Sequence, residues 1–155
     1  MEVVGTWIWG GITVRFPGLK IAIAESGGGW LPHLIDRMHW CLQYSPQHAR
    51  GWPAPDREPI DILRESFVFS SLEVDTARKI EEGWGITGWM MESDYPHMES
   101  VWPNSQPWYS EALRGVDPAW ARAFTWENVA RLYRHEVPEE LRTTPTTTTE
   151  EVPVS

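Results

Sequence analysis

The sequence has a single cysteine, Cys41. That excludes an intramolecular disulfide and any zinc site built from cysteines. The five histidines (His33, His39, His48, His97 and His135) include no His-x-His pair and no His-Glu-x-x-His spacing, so two familiar arrangements for holding zinc are missing. No apolar run is long enough to span a bilayer: the uncharged stretch 3–14 is too short and has no basic segment ahead of it, as a signal peptide would. Basic residues are few, 13 against 22 acidic, for a formal charge of -9, and they form no stripe along the sequence. Nucleic acid and anionic membrane are therefore poor partners. These absences point to a soluble, cytoplasmic protein.

The sequence is rich in aromatic material. Eleven tryptophans and 41% hydrophobic residues are enough for a core or an aromatic-lined pocket. Residues 143–155 are the exception, being rich in Thr and Pro with almost no large apolar side chain. A segment of that kind cannot offset its ordering entropy and is expected to be a disordered tail, leaving one domain over residues 1–142.

Within that domain, residues 3–16 fit either a buried helix or a strand. Residues 20–24 read as a short buried strand, followed by Glu25 and the glycine run Gly27-Gly28-Gly29. A helix then starts near Trp30, with Pro32 in its first turn and Leu31, Leu34, Ile35, Met38, Cys41 and Leu42 on one apolar stripe, which makes Cys41 a core residue rather than a nucleophile. Residues 45–59, with four prolines, read as a loop, and 66–72 as a second strand. Asp75 is placed to cap the short helix after it. The apolar run 86–91 reads as a third strand, ended by Pro96. A loop over 99–108 follows, then a helix opened by Asp117-Pro118 and a last helix, capped or kinked around Thr125, ending near Arg134. Alternating strands and helices imply right-handed crossovers and a parallel sheet, hence an α/β fold.

Chemistry concentrates at the strand ends. Glu25 and Asp94 each follow a strand of this parallel set, so both should stand at the same, carboxyl-terminal rim. Two acidic groups there can bind a metal or divide acid and base roles. The bland alternatives are a turn cap for Asp94, and for Glu25 a helix cap or an ion pair with Arg37. The glycine run lacks the full dinucleotide or phosphate-loop pattern and is better explained by a close approach of the chain to the sheet. His97 can be a ligand beside Asp94 or a turn histidine bonded to backbone. Trp30, Trp102 and Trp108 can wall a pocket or simply pack.

Four segments, in this order, resemble the carboxyl-terminal half of the amidohydrolase-related metal-dependent hydrolases, a family that includes aminocarboxymuconate semialdehyde decarboxylase and the resorcylate decarboxylases. They are Arg15-Phe16-Pro17-Gly18-Leu19-Lys20, Ala24-Glu25-Ser26-Gly27-Gly28-Gly29-Trp30-Leu31-Pro32, Ser93-Asp94-Tyr95-Pro96-His97 and Trp126-Glu127-Asn128-Val129-Ala130-Arg131-Leu132-Tyr133. The resemblance implies a (β/α)₈ TIM barrel with one divalent metal, zinc or manganese, at the strand carboxyl ends. Asp94 then matches the last-strand aspartate that binds the metal or its water, and Trp30 and His97 match supporting pocket positions. Glu25 stands where the decarboxylases carry a catalytic histidine, which sets this chain apart from the histidine-dependent route. The family's opening His-x-His pair and its mid-barrel histidine are absent.

A whole barrel needs about 250 residues, so residues 1–142 are expected to form an incomplete one, about three βα units. The expected function is that of a fragment of a metal-dependent hydrolase or decarboxylase acting on a small carboxylated or cyclic molecule, inactive alone and holding no metal tightly. It would act with a complementary amino-terminal half or as a homo-oligomer. The reading from another class is a non-catalytic interaction module in which Asp94 is structural.

Overall fold

Short runs of aromatic and branched residues bounded by glycine, proline and serine favour extended chain, and three such runs form the sheet at the centre of the molecule. The structure, a computed structural model, describes residues 1–142; the expected tail at 143–155 lies outside them. Strands β1 (Ile21–Ile23), β2 (Phe67–Ser71) and β3 (Met90–Met91) form a parallel sheet in the order β1-β2-β3. Ile21 pairs with Phe67 and Ile23 with Phe69, while Ser70 pairs with Met90 and Ser71 with Met91. The register brings all three carboxyl ends to one side, as expected of an α/β sheet built by crossovers.

The helices are α1 (Glu2–Trp9), α2 (Ile12–Arg15), α3 (Leu31–Tyr44), α4 (Pro46–Arg50), α5 (Pro59–Ser66), α6 (Val74–Trp84), α7 (Ser105–Ala112), α8 (Pro118–Arg122), α9 (Asn128–Tyr133) and α10 (Glu139–Arg142). The ambiguous segment 3–16 is helical, with Val4 and Ile8 buried. Helix α3 carries the expected stripe: Leu31, Leu34, Ile35 and Met38 are buried, although Cys41 is only half-buried. The core joins this stripe to Ile62 and Leu63 of α5, Phe67 and Phe69 of β2, Ala77 and Ile80 of α6, and Trp89. Among the described residues no helix is long and apolar enough to cross a membrane.

Four sequence readings need correction. The third strand is shorter than 86–91, because Gly88 takes a left-handed φ of 82° and the Trp89 indole donates to the Ile86 carbonyl at 2.8 Å, curling the chain before the ladder starts at Met90. Asp75 does not cap α6. It lies in the first turn, where its charge suits the positive end of the helix, and Glu73 holds the cap position without a side-chain cap bond. The loop at 45–59 contains α4, and its last residues start α5 through a capping box, in which the Glu58 N–H donates to Asp61 Oδ2 at 3.1 Å. The loop at 99–108 gives way to α7 at Ser105.

The carboxyl-terminal helices follow expectation more closely. Asp117 accepts from the Trp120 N–H at 2.9 Å, so the Asp-Pro signal starts α8. At Ala123–Glu127 the helix widens into a π turn, where the Thr125 hydroxyl donates to the Ala121 carbonyl at 2.8 Å. Helix α9 is tied to the sheet by Asn128, whose amide donates to the Trp89 carbonyl at 2.8 Å. It ends in a Schellman arrangement, with His135 N–H bonded to the Ala130 carbonyl and Arg134 in the left-handed conformation usually given to glycine.

Candidate functional site

In a parallel sheet the residue just past each strand emerges at the same rim. Glu25 follows β1, Glu73 follows β2, and Glu92 and Asp94 follow β3. β2 separates the outer strands, yet the chain brings Glu25 and Asp94 together. With His97 they each offer one ligand atom, and the three atoms lie within 4.8 Å of one another. Both carboxylate residues adopt a left-handed φ of 55°. That conformation costs a non-glycine residue roughly 1 kcal/mol, and such outliers gather at functional sites.

Hydrogen bonds hold this shape. The Glu25 N–H donates to Glu92 Oε2 at 2.9 Å, and the same oxygen accepts from the Ser70 hydroxyl, so one carboxylate links the loop after β1 to the end of β2. The Ser71 hydroxyl donates to Glu73 Oε2 at 2.7 Å. The Asp94 side chain is 11% exposed, and its Oδ2 lies 3.1 Å from Nδ1 of His97, which is itself 71% exposed. The His97 N–H also donates to the Asp94 carbonyl at 2.8 Å. His97 is thus both a turn residue bonded to backbone and a neighbour of the carboxylate. Trp30 donates its indole N–H to the Ser26 carbonyl at 2.9 Å and meets Phe69 edge-on, bracing the loop that carries Glu25. Neither Glu25, Glu73, Glu92 nor Asp94 makes an ion pair with Lys or Arg among the described residues, and the Glu25–Arg37 pair does not form.

Sequence reasoning singled out Glu25, Asp94, His97 and Trp30 but passed over Glu73, Glu92 and Tyr109. Glu73 was within reach of the rule that found Glu25, since it follows a strand at the same remove. Tyr109 was not, because its role depends on α7 folding back over the rim. Its hydroxyl donates to the Glu92 carbonyl at 2.6 Å. Burial pushes this phenol up to about 12, and the charges of Glu92 and Glu73 add to the rise. Spectrophotometric titration should therefore find one of the four tyrosines ionising last, near pH 12, with that step missing in Tyr109→Phe. The unfolded phenol ionises near 10 while the folded one stays neutral. Its contribution is thus whole below pH 10 and falls by about 2 kcal/mol as pH rises toward 12.

The donor set is mixed carboxylate and imidazole. Zinc accepts both, and three protein donors with an open fourth position is the pattern of catalytic zinc. The uncompensated negative charge of the rim also favours a cation. By donor chemistry Glu25, Asp94 and His97 fit a divalent metal.

No protein-family model matches the sequence, and no curated protein matches it. Solved structures do. An amidohydrolase from Mycobacterium avium subsp. paratuberculosis K-10 is similar with a TM-score of 0.68 and 23% identity, over 83% of this chain and 32% of that one. The IDCase of Metarhizium anisopliae, solved in its apo form, is similar with a TM-score of 0.63 and 24% identity, over 84% of this chain and 38% of that one. At such identity the likeness shows a shared fold. The chain spans about a third of the length of these solved proteins.

Proposed function

We propose that residues 1–142 are the carboxyl-terminal portion, about three βα units, of an incomplete (β/α)₈ barrel of amidohydrolase type. The parent activity is metal-dependent hydrolysis or decarboxylation of a small carboxylated or cyclic substrate. The observation that carries this reading is the convergence of Glu25, Asp94 and His97 within 4.8 Å at the strand carboxyl ends. Asp94 would hold the metal, zinc or manganese, or take a proton. Glu25, whose carboxylate lies within 4.8 Å of the same ligand atoms, would share the metal or move a proton, and His97 and Trp30 would bound the substrate. When bound, the metal supplies Lewis acidity to a carbonyl or to water. Glu92 keeps Glu25 aimed by holding its backbone N–H, and Tyr109, a neutral donor on the Glu92 carbonyl, keeps that segment in place.

In this reading the chain alone binds metal weakly and turns over nothing. Glu25 and His97 are exposed, and Asp94 Oδ2 is already engaged by His97. A complementary amino-terminal half, or further copies of the chain in a homo-oligomer, would supply the remaining strands and ligands, in a cytoplasmic setting. Titration with zinc and with manganese tests this. Purified protein dialysed against buffer should retain less than one equivalent, and Asp94→Asn should weaken the residual binding about tenfold or more. Stoichiometric, dialysis-resistant metal with hydrolytic turnover would show that the isolated chain is a complete enzyme.

The exposed, paired rings of Trp40 and Tyr44, with centroids 4.3 Å apart, favour a second reading, a non-catalytic interaction module. Metal titration separates the two, because in a module Asp94→Ala leaves both metal response and partner binding unchanged.

A further inference from the structure

The opposite end of the sheet carries opposite charge. A cavity of about 340 Å³ opens beside the amino ends of the strands, where Lys20 precedes β1, Phe67 begins β2 and Gly88 precedes β3. Its lining includes four of the 13 basic residues, Lys20, Arg64, Arg131 and Arg134, against one carboxylate, Glu65. In a chain of net charge -9 such a concentration is notable, since the overall field repels anions and only a local excess of cations can hold one. The Glu65 carboxylate does not neutralise it, because Arg57 binds that group at 2.6 Å. Arg64 lies 3.7 Å from Asp61 and donates to the Trp84 carbonyl, Lys20 donates to the Glu65 carbonyl, and Arg131 donates to the Asn128 side chain. Lys20, Arg131 and Arg134 make no ion pair among the described residues.

Two further features bear on what fits there. The half-buried Val68 and Leu132 give the cavity an apolar wall beside its cations, and its volume falls at the small end of ligand pockets. Arg134 holds a left-handed φ of 53° at the end of α9, where glycine would be unstrained, so an arginine lines the cavity against local backbone preference. We infer that this cavity is a binding site for a small organic anion, a phosphate monoester or carboxylate whose hydrocarbon part lies on Val68 and Leu132. Guanidinium forks suit both anions. The site is separate from the carboxylate rim and does not depend on the function proposed for it.

Calorimetric titration of the full chain at low ionic strength with phenyl phosphate, benzoate and inorganic phosphate provides the test. One-to-one saturable binding is expected for at least one of the two aryl anions, tighter than inorganic phosphate and weakened by added salt. Preference for phenyl phosphate assigns the site to phosphate esters, and preference for benzoate assigns it to carboxylates. Arg134→Gly removes the cation while relieving the backbone, so the variant should melt no lower than the parent. It should bind about tenfold more weakly or worse, as should Lys20→Gln, whereas Asp94→Asn leaves affinity unchanged. Absence of saturable binding by all three probes, or full affinity in a folded Arg134→Gly, overturns the proposal.

Discussion

Trp89→Ala should lower the free energy of unfolding by about 3–5 kcal/mol, a large part of what a domain of this size commonly has. Trp89 is 1% exposed and lies between the loop after β1 and the start of β3. Its ring centroid is 5.2 Å from that of Phe69, its indole N–H donates to the Ile86 carbonyl at 2.8 Å, and its own carbonyl accepts from Asn128. Truncation removes the largest fully buried side chain, leaves the Ile86 carbonyl without that partner, and opens a cavity that the short strands cannot close. Urea denaturation followed by circular dichroism reads the loss directly. A cost under about 1 kcal/mol would mean that the core does not pass through this residue.

The parallel sheet was legible in the sequence because its strands are short apolar runs separated by lengths that only helices can cross, and the two outer carboxylates were legible because each follows such a run. Three things were not. The start of β3 depends on Gly88 turning left-handed, and a glycine inside an apolar run reads equally well as extended chain. The capping box at Glu58 and Asp61 was present in the residues, but Pro53 and Pro55 ahead of it and Pro59 within it made the segment read as loop. The holding role of Glu92 required knowing that the Ser70 hydroxyl and the Glu25 N–H both reach its carboxylate, at sequence separations of 22 and 67 residues. Spacing rules describe neighbours along one element, and rim chemistry is assembled from the ends of several. The same limit hid the cationic cavity, whose lysine and arginines come from three separate stretches and form no stripe in the sequence.

Gly28→Val should cost about 3 kcal/mol and Gly28→Ala somewhat less, both by overpacking. A Cβ at this position would stand 2.5 Å from Trp89 Cη2 and 2.8 Å from Ile80 Cδ1. Neither neighbour can retreat easily: Trp89 is pinned by its indole hydrogen bond and Phe69, and Ile80 is 4% exposed within α6. The strain should therefore lift the loop, which carries Glu25 three residues earlier. Shortening Trp89 removes the obstacle, so Gly28→Ala should cost much less in a Trp89→Leu background than in the parent. The coupling energy from a double-mutant cycle should reach about 1–3 kcal/mol. If the two costs simply add, the loop does not rest on Trp89 and its glycines serve some purpose other than close approach. On the proposed metal reading, Gly28→Ala should also weaken zinc binding through the displaced Glu25, and the Trp89→Leu background should restore part of it.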